Sequence, residues 1–175
     1  VELARDDKTG LVLERCAMEP LPVGWMEAGD IVQFDSVVAA LRRLIKTSGS
    51  STRRVALAMP DTAVIVSKIR RGSDLGPAEL LMQVAAEVER LSGTPFTDMC
   101  VDYKVQAQAQ VQGASLGAEI EIWIAACTKE KMQDRVGLAE AAGLEAVVLD
   151  VEAEASMLAA RRLTQVKDSA SADPV

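Results

Sequence analysis

The sequence predicts a mixed α/β protein built of two interlocked parts. Three observations carry this reading. First, Val101, Tyr103, Val105, Ala107, Ala109 and Val111 alternate with Asp102, Lys104, Gln106, Gln108, Gln110 and Gln112; a period of two sustained this long means a strand with one wet face. Second, Val37, Val38, Leu41, Leu44 and Ile45 fall on one helical face, as do Leu80, Leu81, Val84, Val88 and Leu91. Third, strand-like and helix-like runs alternate along the whole chain and are separated by Gly and Pro.

Residues 1–5 read as a strand and Leu11 to Met18 as its return, joined by the polar turn Asp6-Asp7-Lys8-Thr9-Gly10. Pro20, Pro22 and Gly24 break the pattern, and Trp25 to Val32 reads as a loop. Asp35 or Ser36 is placed to cap the next helix. The tract Thr47-Ser48-Gly49-Ser50-Ser51 stops it. Val55 to Met59 reads as a buried strand, and Thr62 to Ile69 as another, followed by a turn over residues 70–76. Pro77 suits the first position of a helix, Glu79 suits its first turn, and Gly93 with Pro95 ends it.

After the strand at 101–112, Gly113 to Gly117 forms a loop, and Ile120, Ile122 and Ile124 mark the returning strand. Thr128 caps a helix that runs to Ala142, with Gly143 as its C-terminal stop. Leu144 to Asp150 is a strand and Val151 to Leu163 an alanine-rich helix. The small polar tail 167–175 is expected to be disordered. The stretch from Thr62 to Cys127 reads strand, helix, strand, strand, which fits a small sheet crossed by one helix.

Composition narrows the function classes. The net charge is −7, so the clustered Lys and Arg that phosphate backbones require are lacking, and neither nucleic acid nor anionic lipid is an expected partner. No run of 18 apolar residues occurs, so no membrane insertion is expected, and no signal-peptide pattern is visible in the stretch that opens with Val1-Glu2-Leu3. Cys16, Cys100 and Cys127 are isolated in sequence and read as reduced thiols. With no histidine in the chain, Ser-His-Asp catalysis and histidine-ligated metal sites are excluded.

Several strings stand in a fixed order. Thr52-Arg53-Arg54-Val55-Ala56-Leu57-Ala58-Met59-Pro60 precedes Ala63-Val64-Ile65, and Thr94-Pro95-Phe96 precedes Val101-Asp102-Tyr103. Ala125-Ala126-Cys127 leads to Lys129-Glu130 and Asp134-Arg135. Glu140-Ala141-Ala142-Gly143-Leu144 leads to Val148-Leu149-Asp150-Val151-Glu152. From Val1 to about Leu163 the ordered set resembles the PilM family of type IV pilus assembly proteins, relatives of the cell-division protein FtsA.

The resemblance implies an actin-like (ribonuclease H-like) subdomain, incomplete for want of its first strand, over residues 1–66 and 149–166. It implies a small inserted α/β subdomain over 67–148. It also implies a cytoplasmic scaffold, peripheral to the inner membrane through a partner. That scaffold binds the N-terminal cytoplasmic segment of PilN in a groove between the two subdomains and works alongside other pilus assembly proteins. Alternative readings are an ATP-binding switch or ATPase, a type II secretion relative, or an FtsA-like relative. ATP and Mg²⁺ are expected with the full-length protein and neither with this segment, because no phosphate-holding glycine turn or Gly-x-x-x-x-Gly-Lys-Ser/Thr string lies within it. The segment alone is therefore not expected to be an enzyme. A gap or open edge in its sheet favours a homodimer.

The resemblance and the chain's turning points select Ile65, Ile69, Phe96 and Tyr103 as apolar contacts for a peptide, with Arg70 and Arg71 at the rim. Phe96 also reads as plain core packing. Glu152 follows Asp150 at a strand-to-helix junction, where actin-like ATPases orient water; the plain reading is a first-turn acid favoured by the helix dipole. Trp123 should emerge opposite Ile122 and Ile124, either as an interface residue or as one covered by a helix.

Overall fold

A computed structural model describes residues 1–6, 10–107 and 119–170. The elements in chain order are β1 (Glu2–Asp6), β2 (Gly10–Arg15), β3 (Met26–Glu27), β4 (Asp30–Ile31), α1 (Phe34–Ser48), β5 (Arg54–Met59), β6 (Ile65–Gly72), α2 (Pro77–Ser92), β7 (Met99–Ala107), β8 (Glu119–Thr128), α3 (Lys129–Ala141), β9 (Glu145–Val151) and α4 (Glu152–Ala170). Two compact units result: Val1–Met59 with Gln133–Val175, and Pro60–Met132.

In the first unit β1 and β2 pair antiparallel, and β5 pairs parallel with β9, Arg54 opposite Glu145 and Met59 opposite Val151. Val37, Val38 and Ala40 of α1 are buried, as are Met59, Ala139 and Leu144. Arg42 donates to the carbonyl of Ala141 at 2.6 Å, satisfying one of the free carbonyls at the end of α3. Arg135 donates to the carbonyl of Gly29.

Several expectations are corrected here. The stretch 25–32 is not a plain loop: Met26–Glu27 and Asp30–Ile31 form a minimal hairpin, with Ala28 and Gly29 at positive φ (48° and 91°) making the turn. Gln33, not Asp35 or Ser36, is the residue before α1, and no side chain caps that end; Asp35 sits in the first turn, where the dipole favours it. β5 is only half-buried, since Met59 alone among its residues is fully inside. The tail is helical as far as Ala170, because α4 continues through residues 167–170. Residues 133–148 cluster with the first unit rather than with the inserted one, since β9 already begins to pair with β5 at Glu145.

The second unit is the small sheet crossed by one helix. Its strand order is β6-β8-β7, antiparallel throughout. Ile69, Val84, Val88, Met99, Ile122, Ile124 and Ala126 form one core between that sheet and α2. Period two does the sorting on β8: Ile122, Ile124 and Ala126 are buried while Glu121, Trp123 and Ala125 are not. α2 opens with Glu79 accepting from the Gly76 N–H at 2.9 Å and closes at Gly93, whose φ of 66° any other residue would adopt only with strain. The strand expected to end at Ile69 runs on to Gly72, because Arg70, Arg71 and Gly72 pair with Glu121, Ile120 and Glu119. The predicted loop 113–117, the strand residues 108–112, the turn residues 7–9 and the final residues 171–175 lie outside the described residues.

Candidate functional site

All six predicted contact residues belong to the second unit. On β6 the strand period turns Ile65, Ser67, Ile69 and Arg71 toward α2, and Val66, Lys68 and Arg70 the other way. The hydrogen bonds agree. Ser67 Oγ donates to Glu87 Oε1 at 3.1 Å, and Arg71 Nε donates to Gln83 Oε1 at 2.8 Å. Both acceptors are on α2. Arg90 also holds Glu87, at 2.8 Å and 2.9 Å; it is the main reason the Glu87 carboxyl titrates below the usual carboxylate range, with Ser67 and Arg71 adding to it.

Ile69 is a core residue at 8% exposure. Ile65, Phe96 and Tyr103 are partly buried against the same core. The Phe96 N–H donates to Glu89 Oε1 at 2.8 Å, which ties the short 3-10 turn at Phe96–Asp98 to α2. The structure thus brings Ile65, Ile69, Phe96 and Tyr103 together, but as the packing of sheet on helix. Arg70 and Arg71, neighbours in sequence, lie on opposite faces of the sheet.

The face away from α2 carries Arg70. Its Nε lies 3.7 Å from Glu121 Oε2. At the centre of that face stands Trp123, flanked in register by Lys68 on β6 and Lys104 on β7. Lys68 Nζ is 3.3 Å from the ring centroid, a cation–π contact, and the indole N–H donates to Glu121 Oε1 at 2.6 Å. Trp123 does emerge opposite the core. It is half-buried there, on the face opposite α2. The flanking lysines were a signal available only once the strand register was known.

The first unit holds a concavity of about 150 Å³ lined by Leu41, Leu44, Ile45, Val55 and Leu144, with Glu2 at its polar end. Thr52 Oγ1 donates to Glu2 Oε1 at 2.8 Å, and Arg15 Nε lies 3.1 Å from Glu2 Oε2. The Thr52 hydroxyl chiefly, then Ser50 and Arg15, lower the Glu2 carboxyl from its ordinary range. None of the predicted site residues lines this pocket. Glu152 is exposed at the start of α4, directly after β9. Among the described residues, no group of three or more His, Cys, Asp or Glu is arranged to hold a metal ion, and no helix is long and apolar enough to cross a membrane.

The fold is mixed α/β of the actin-like class, with a sheet-and-helix unit inserted in the chain of another unit. The family profile for type IV pilus assembly protein PilM matches residues 1–174, and the chain belongs to that family. A solved chain from a PilM-PilN type IV pilus biogenesis complex shares the fold, with a TM-score of 0.67 at 23% identity. The match covers 81% of this chain and 41% of that one, so it spans about two fifths of that chain's length.

Proposed function

We propose that the protein is a scaffold of the pilus assembly complex that binds the N-terminal cytoplasmic segment of a PilN protein and is held at the inner membrane through it. The observation that carries this reading is the family match over residues 1–174. The likeness to a chain solved in complex with PilN supports the partner. Binding, not turnover, is the role of this segment, and ATP with Mg²⁺ belongs to the full-length protein. The glycine turns that hold phosphate in actin-like folds have no match among these 175 residues.

The test is calorimetric titration of a PilN-type N-terminal peptide into the chain, with a scrambled peptide as control. Saturable heat from the native order alone is expected. Equal heats from the two peptides remove the reading. Arg70→Ala leaves the core intact and should weaken binding by about 1 kcal/mol at most, since the side chain is exposed and screened.

For the nucleotide half, the expected result is no Mg²⁺-dependent ATP hydrolysis by the chain. Turnover that disappears in Glu152→Ala would show instead that the acid at the start of α4 orients water.

A further inference from the structure

Cys100 and Cys127 are far apart in sequence but stand directly opposite each other in the β7–β8 ladder. Both are free and half-buried. Opposed residues of an antiparallel pair have Cα atoms about 4.5–5.5 Å apart, inside the window of about 4.4–6.8 Å that a disulfide spans. Both side chains lie on the sheet face away from α2: their neighbours Met99 and Ala126 are core residues, and adjacent residues of a strand point to opposite faces. Burial pushes the Cys127 thiol up, and the Cys100 thiol beside it adds to the shift. The second cause acts only between groups that are close, which agrees with the register.

We propose that Cys100 and Cys127 form a redox-responsive pair, a modification site at which a small-molecule disulfide oxidant closes a cross-strand disulfide within the chain. One cysteine thiolate attacks a sulfur of the oxidant. A mixed disulfide forms and one thiol leaves. The opposing cysteine thiolate then attacks the protein sulfur of that mixed disulfide and releases the second thiol. In sum, two protein thiols give up two electrons and two protons, and one oxidant disulfide becomes two thiols. Because the second sulfur is held opposite the first, this step is intramolecular and outruns the attack of a free thiol. The bond ties the open end of the β7–β8 hairpin, immediately before α3 begins at Lys129. Cys16 is exposed just after β2. It has no cysteine paired across from it and stops at the mixed disulfide.

The test uses the 175-residue chain carrying Cys16→Ser, equilibrated in oxidised and reduced glutathione at graded ratios. Intact mass, peptide mapping and thermal unfolding are read. Expected are loss of two hydrogens in mass, a mapped link between Cys100 and Cys127, and an unfolding transition raised by about 5 °C. A reducing dithiol should reverse all of these. Cys100→Ser and Cys127→Ser each leave a single thiol and should stop at one glutathione adduct, with no link. Two glutathione adducts on the parent without an internal link, or links formed only between chains, would overturn the proposal. The mass readings decide it even where a serine variant is less stable.

Discussion

Ile122→Ala should destabilise the second unit by about 4 kcal/mol, one of the two largest effects expected in this molecule. Ile122 is 0% exposed. It sits on the central strand, opposite Ile69 on one side and Val105 on the other. Truncation there removes three carbons from a core bounded by two strands and α2. The backbone on either side is fixed by ladder hydrogen bonds, so the hole cannot collapse. Ile→Ala changes at such sites cost about 2–5 kcal/mol, and the upper part of that range belongs to sites that relax least. A unit of this size has few kcal/mol to spare, so the variant should be close to unfolded at room temperature. Val66→Ala is the control: it lies on the opposite face at 48% exposure and should cost well under about 1 kcal/mol. Urea unfolding followed by Trp123 fluorescence, in a Trp25→Phe background, measures both. A cost for Ile122→Ala below about 1 kcal/mol would mean that the sheet and α2 do not share the core described above.

The same core bears on how binding is tested. Ile69→Asp cannot probe Ile69 as a contact residue. With Ile69 packed on Val84 and Val88, a carboxylate there is a buried unpaired charge. The variant would lose binding by losing the unit, which says nothing about the site. Arg70 and Tyr103, at the surface and at its margin, are the residues whose substitution can be read.

What the sequence made legible follows its periodicities. The alternation from Val101 to Val105 and the Ile120-Ile122-Ile124 run specify a sheet with one wet face. The stripe through Val84 and Val88 specifies the helix that covers the other face, so the second unit could be read almost whole. The extension of β6 through Gly72 could not, because Arg70-Arg71-Gly72 is strand only by pairing with Glu119–Glu121, dozens of residues away. Reading that segment as a turn also hid the fact that Arg70 and Arg71 point apart. The apolar candidates raise a different question. Ile65, Ile69, Phe96 and Tyr103 were correctly grouped in space, but apolar side chains that converge look the same in sequence whether they line a groove or fill a core. Only the position of α2 separates the two. At the chain's end, helix propensity held through residues 167–170 despite their polar character.

The chain should self-associate through its first hairpin. β1 and β2 pair only with each other among the described residues, and every residue of β2 is exposed. The register sets Leu3 opposite Leu13 and Arg5 opposite Leu11, so Leu3, Leu11 and Leu13 share one face, at 54%, 50% and 57% exposure. A two-stranded ribbon is marginal in water without something packed on its apolar face, and three large apolar side chains in one patch are more than a scattered surface leucine needs to explain. The outer edges of the ribbon also present unpaired backbone N–H and C=O groups. A second copy supplies both the apolar cover and the hydrogen bonds, in an isologous arrangement in which the same face serves both partners. Sedimentation velocity over a concentration series should show a monomer giving way to a dimer in the micromolar range. Leu11→Lys with Leu13→Lys removes the patch and sets like charges against each other across the two-fold axis, and should return the chain to monomer at every concentration. Neither residue is part of either unit's core, so the variant keeps its fold by circular dichroism. A parent chain that stays monomeric throughout the series would show that the hairpin face is stable in water without a partner, and the expectation would fail.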